Sequence, residues 1–124
     1  MSLSHLLRLQ TLYCLLGVLF NLVSMWVGAN GGQGLTPTDP LVGIMVMLIY
    51  GLFLISGKKK KVTLYRILMG LAVLVFGYGG IIKHIILLSS SPELYNSLAS
   101  GLSAVLINFF GLGLNTLAAL GKFH

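Results

Sequence analysis

The sequence predicts an all-α fold: four transmembrane helices in an up-down-up-down bundle with left-handed crossings and both termini inside. Three observations carry this. Hydrophobic residues make up 56% of the 124 residues and charged residues only 8%, against about 25% charged in a soluble domain. Four long apolar segments are separated by three short polar breaks. The cations fall towards the ends of those segments rather than at their centres. A soluble globule of this composition, with mean hydropathy +0.97, would expose large apolar patches. A disordered chain needs the opposite balance of charge and hydrophobicity. The chain therefore reads as one integral membrane domain over residues 1–124.

The first helix is expected at about 6–28, long enough to cross ~30 Å of hydrocarbon at about 1.5 Å per residue. Val27-Gly28-Ala29 resembles a signal-peptide cleavage site. The apolar stretch before it exceeds the roughly 7–15 residues of a signal core, so the segment is expected to stay as a helix. Ala29 to Pro40, rich in Gly, Pro, Asn and Asp, reads as a flexible loop. The second helix is expected at about 40–57, with Pro40 in its first turn, where proline is tolerated. Gly57 to Lys61 forms a tight basic turn. The third helix is expected at about 62–88 and the fourth at about 92–121. Ser91 is placed to cap the fourth, with Pro92 at its first position and Glu93 near its positive dipole end.

Cations set the orientation. Arg8, Lys58, Lys59, Lys60, Lys61, Arg66 and Lys122 share one side, and only Lys83 lies on the other. Positive residues collect on the cytoplasmic side, so both termini are expected there, in a bacterial inner membrane or an organelle membrane. The cluster Lys58, Lys59, Lys60, Lys61 and Arg66 is a topology signal with an attraction to anionic lipid of about 1 kcal/mol per Lys. A net charge of +6 does not indicate nucleic acid, because half of the cations lie in one run at a helix end.

Helices in lipid associate through small residues and cross-helix hydrogen bonds, not through the hydrophobic effect. In the first helix Gln10, Cys14, Gly17, Asn21, Ser24 and Gly28 recur at alternating steps of four and three. In the fourth, Ser97, Gly101, Ala104, Asn108, Gly111, Asn115 and Ala118 do the same. Each is one seam of a seven-residue repeat, which favours crossing near +20°. The third helix carries a comparable line through Arg66, Gly70, Val73, Gly77, Gly80 and His84, and the second a weaker one through Gly43, Met47 and Tyr50. Pairing the two main seams by depth sets Asn21 opposite Asn108, Cys14 opposite Asn115, Gly17 opposite Gly111 and Gly28 opposite Gly101. Asn21 and Asn108 are then expected to bond each other, worth roughly 0.6–2 kcal/mol.

The ionisable pair Lys83 and His84, following Tyr78, is the remaining candidate site. Ionisable residues in a membrane segment point to function, and Lys83 is also close enough to the helix end to snorkel to the head groups. Tyr78 and Tyr50 lie deeper than the other tyrosines, and deep hydroxyls need partners. Much chemistry is disfavoured. No Asp or Glu lies inside an apolar segment, which counts against proton-coupled transport. Cys14 and His84 lie at opposite depths, so no thiol–imidazole nucleophile forms. His5 and His124 lie far from His84, which counts against bis-histidine haem and a zinc site. No metal or cofactor is implied.

Three readings follow. The first is a non-enzymatic membrane protein acting by helix packing, either with other membrane subunits or with itself. The second is a small-solute channel or carrier lined by the seams of the first and fourth helices. The third is a lipid- or pigment-binding protein using Lys83 and His84.

Overall fold

The computed structural model describes residues 1–124 as four helices and no strands. We label them α1 (Leu3–Ala29), α2 (Pro40–Lys58), α3 (Val62–Ser90) and α4 (Leu98–Ala119). All four are long and apolar enough to cross a membrane. Their outward faces carry large apolar side chains such as Leu52, Leu74 and Leu106, each well over half exposed. Their inward faces carry Gln10, Asn115, Tyr13, Tyr50 and Tyr65. That distribution suits a bundle solvated by acyl chains, where the polar minority must find its partners inside.

Local chemistry sets the helix ends. Ser2 caps α1 by accepting from the His5 amide at 3.1 Å, and this starts the helix earlier than expected. Asp39 caps α2 by accepting from the Leu41 amide at 2.9 Å. The fourth helix does not begin at Ser91. Pro92–Leu94 forms a separate short 3-10 turn, and α4 starts after Ser97. Ser97 and Ser100 each accept from the other's amide at 3.1 Å. This reciprocal cap satisfies two orphan donors and outcompetes the start at Ser91.

Residues 30–39 are not a free loop. The Leu35 amide donates to Ser24 Oγ at 2.9 Å, and Ser100 Oγ donates to the Leu35 carbonyl at 2.7 Å. Gln33 and Asn96 join the loop to the 92–97 connection through two further bonds. The amide and carbonyl of Leu35 find partners on α1 and α4, which the composition of the loop did not reveal.

The chain ends meet. The Leu3 amide donates to the His124 carbonyl at 2.9 Å, and the His124 amide to the Met1 carbonyl at 3.1 Å. The Lys58–Lys61 turn lies at this terminal end, where Gly57 touches Leu7 and Tyr65. Arg66 Nε donates to the Ala119 carbonyl at 3.1 Å, a favourable place for a cation at the negative end of α4. The loop at 30–39, the 92–97 connection and Lys83 lie at the far end.

Within α3, residues Gly77–Ile82 are wound as a π-helix. Before this segment the buried stripe is Tyr65, Met69, Ala72 and Phe76. A regular α-helix would continue it to Gly79 and Lys83. The wider winding absorbs one extra residue, so the stripe continues through Gly80 and His84 instead. The line expected through Arg66, Gly70 and His84 is therefore not one face. Arg66 is exposed and Gly70 is open, whereas Gly80 and His84 are buried.

Deleting Gly79 should remove the extra residue and let a regular α-helix carry Gly80 and His84 on the buried stripe, with Lys83 still outward. In a Cys14→Ala background, Lys83→Cys should react with a maleimide faster than His84→Cys. The order should persist when Gly79 is deleted, as read by labelling rates in detergent; a reversal would show that the π-helix does not absorb the extra residue.

Candidate functional site

The polar residues of the bundle interior form two separate groups. The group nearer the termini is a closed node. Gln10 Nε2 donates to Asn115 Oδ1 at 3.0 Å and lies 3.2 Å from Met69 Sδ. Tyr50 donates its hydroxyl to the same Asn115 oxygen at 2.6 Å, and Tyr65 donates to Gln10 Oε1. Asn115 Nδ2 is buried without a partner. These four side chains come from four different helices, so the node ties the whole bundle together at one depth.

Next to the node stands an aromatic plug. Tyr13, Tyr50 and Phe76 meet edge to face with ring centroids 5.3, 5.6 and 5.7 Å apart, the geometry that aromatic quadrupoles favour. Gly111 lets the Tyr13 ring lie against α4, because a Cβ there would overlap the ring.

On the far side of the plug is a cavity of about 240 Å³. Each helix contributes to it, together with Thr36 and Thr38 of the loop. Gly43 and Gly80 make room for carboxamides: a Cβ on Gly43 would overlap Asn21, and one on Gly80 would overlap Asn108. The exposed lining residues are Val42 on α2 and Val75, Gly79 and Lys83 on α3. They put the mouth between α2 and α3, on the side of the bundle. No Asp or Glu lines the cavity, and Lys83 is its one full charge.

His84 is only 5% exposed. Its Nδ1 lies 2.7 Å from the Tyr95 hydroxyl, and the two rings meet edge to face at 5.7 Å. Burial pushes the Tyr95 hydroxyl above its ordinary pKa, so it keeps its proton and holds the imidazole in place. His84 Nε2 bonds to no atom of the chain and is not among the sealed polar atoms. With the ring lining the cavity, Nε2 is the imidazole atom open to it.

The two seams do not pair as the depth argument expects. Gln10, not Cys14, meets Asn115, and Tyr13, not Gly17, lies on Gly111. The register of α1 on α4 is displaced by four residues, one helical turn. Cys14, Gly17 and Asn21 turn instead to α2: Cys14 Sγ donates to the Met47 carbonyl at 3.2 Å, Gly17 lies on Met47, and Asn21 on Gly43. Asn21 and Asn108 share the cavity but do not bond each other. Each donates to the carbonyl four residues back in its own helix, at 2.8 and 2.9 Å, a bond always within reach in a helix. Asn108 Oδ1 is taken by the Tyr13 hydroxyl at 2.8 Å.

Other expected positions are dispersed. Gly28 is open, with Gly101 against Leu88 of α3 instead. Ser24 holds the loop, and Ala104 lines the cavity. Tyr78 faces outward, 63% exposed, away from the cavity. Lys58, Lys59, Lys60 and Lys61 are exposed at the terminal end. Sequence reasoning missed Thr36, Thr38, Gly43 and Tyr95 as neighbours of the site. Of the plug residues, only Tyr50 carried a readable signal, as a deep hydroxyl that needs a partner. Comparison with protein-family models, curated proteins and solved structures returns no match.

Replacing Asn115 with Leu should strand Gln10 Nε2 and the Tyr50 hydroxyl. The expected loss is about 1–3 kcal/mol, read as a lower melting temperature of the detergent-purified protein. Gly113→Ala on the same helix, at a glycine with open space, should leave the melt unchanged.

Proposed function

We propose that this chain is a multi-pass membrane protein that binds a small molecule in the cavity at the far end of its bundle. In this reading the helices run up-down-up-down with left-handed crossings. The termini and the lysine turn face the cytoplasm, because seven of the eight cations belong to that end. The role is binding rather than catalysis. The observation that carries it is the pairing of a lateral mouth with a closed floor. Lys83, His84 Nε2 and the Asn21 and Asn108 amides converge on a cavity that stops at the Tyr13–Tyr50–Phe76 plug. A few polar groups in a concave apolar site are the usual make-up of a small-molecule site, and a π-helix commonly accompanies one. A solute path along the α1 and α4 seams is less favoured, since the plug and the polar node interrupt those seams.

Ala104 lines the cavity and is buried. Ala104→Leu should fill the space without adding charge. Native mass spectra of protein extracted gently from membranes should show a small-molecule adduct on the unaltered chain and lose it with Ala104→Leu. An adduct unaffected by that change counts against the reading.

A second reading, assembly with other membrane subunits or with a second copy, draws on Gly70 of α3 and Gly113 of α4. Neither has a neighbour where its Cβ would stand. Open glycines on a lipid-facing surface allow close helix approach. The mass of the detergent-solubilised particle tests this: a complex that dissociates with Gly70→Ile supports it, and a monomer counts against it.

A further inference from the structure

The cavity has an apolar extension. Along the same α2–α3 side runs a groove of about 200 Å³ lined by apolar side chains and the ring of Tyr50. Its walls include Ile49 and Phe53 of α2 and Leu71 and Ala72 of α3. It shares Val46, Val75 and Phe76 with the cavity. Cavity and groove therefore adjoin at these three residues as a slot on the α2–α3 side of the plug, polar and cationic at the far end and apolar towards the terminal end. From Leu71 to Lys83 the slot follows α3 for about 18 Å, at roughly 1.5 Å per residue. Its whole length opens sideways between the two helices, where acyl chains surround the bundle.

We propose that the slot binds a single-chain amphiphile with a carboxylate head, a long-chain fatty acid, with the head at Lys83 and His84 and the tail in the α2–α3 groove. This rests on the cavity being a binding site. Charge selects the head, because Lys83 supplies the only full charge of the lining and no acid opposes it. Hydrogen bonding selects it as well. In the tautomer in which the Tyr95 hydroxyl donates to His84 Nδ1, the imidazole proton stands on Nε2, the ring nitrogen with no partner in the chain. An ammonium and an imidazole N–H on adjacent residues offer one donor for each carboxylate oxygen. The single tail follows from the one groove that adjoins the head site. The α1–α2 and α3–α4 contacts are close where Cys14 meets Met47 and Gly101 meets Leu88. The π-helix matters here, since it buries His84 and leaves the flexible Lys83 at the mouth, able to reach the head group from the side.

The test uses the full chain in phosphatidylcholine nanodiscs, with oleate, oleyl alcohol and oleoyl lysophosphatidylcholine as probes of equal tail. Oleate should bind, at least tenfold more tightly than oleyl alcohol. Lys83→Gln should weaken oleate roughly tenfold and leave oleyl alcohol unchanged. Lys83 is exposed, so this variant is expected to fold. Ile49→Trp, on a half-exposed residue of the groove wall, should weaken all three probes without touching the core. Equal affinity for oleate and oleyl alcohol, unaffected by Lys83→Gln, would overturn the placement of the head. Tighter binding of the lysophospholipid than of oleate would overturn the carboxylate. If no probe binds while a native adduct is still lost on Ala104→Leu, the fatty-acid assignment fails and the binding site stands. If that adduct is also insensitive to Ala104→Leu, both fail.

Discussion

Gln10 and Asn115 meet where neither has water to turn to. In an aqueous core a mismatched carboxamide can recruit solvent; in hydrocarbon it must find another side chain or stay unpaired. The bond between them sets the register of α1 on α4, and the rest of the interior follows. It brings Tyr13 over Gly111 and within reach of Asn108. It turns Cys14, Gly17 and Asn21 away from α4 towards α2. With those small residues on one side and Gly80 and Ala104 on the other, the far half of the bundle is left unfilled. The cavity is thus a by-product of where the polar node sits. Tyr50 and Tyr65 reinforce the node from α2 and α3, so all four helices are committed to the same register.

The helices themselves were readable because their apolar runs are long and their breaks short. The seams of α1 and α4 were readable as seams, since Gln10, Gly17, Asn108 and Asn115 recur at a helical period. Their register was not. A seam that repeats every turn offers several alignments of nearly equal merit, and depth alone chooses among them poorly. Side chains of different reach decide, and a tyrosine hydroxyl bonds well beyond its own Cα position. The Asn21–Asn108 bond failed for a related reason. An asparagine in a helix always has a carbonyl four residues back, and no pattern of spacing shows whether it will use it.

The site was legible only in part. Lys83 and His84 stood out as ionisable residues in an apolar segment, but their division of labour depends on six residues wound more loosely than the rest of α3. In the sequence, Gly77 and Gly80 belong to a line of small residues along the third helix. They mark the place where the helix advances its inward face by one residue. The partners of the site on the loop, Thr36 and Thr38, were hidden for another reason. Gly- and Pro-rich composition describes what a backbone is free to do, and it is silent on the Ser24 and Ser100 side chains that fasten this one down.

The pairing of the first and last residues has a topological corollary. With Leu3 and His124 hydrogen-bonded to each other, the polypeptide is nearly a ring, broken at one point and fastened there by two backbone bonds. The order in which the four helices are numbered is then an accident of where the ring is cut. A circular permutant that joins the present ends through a short linker and opens at the Lys58–Lys61 turn would carry its new ends on the same face as the old ones. It would keep every helix whole and leave the slot between α2 and α3 untouched, but it would present those two helices to the membrane on opposite ends of the chain. The slot would then be assembled from the first and last segments to emerge during synthesis, rather than from two neighbours.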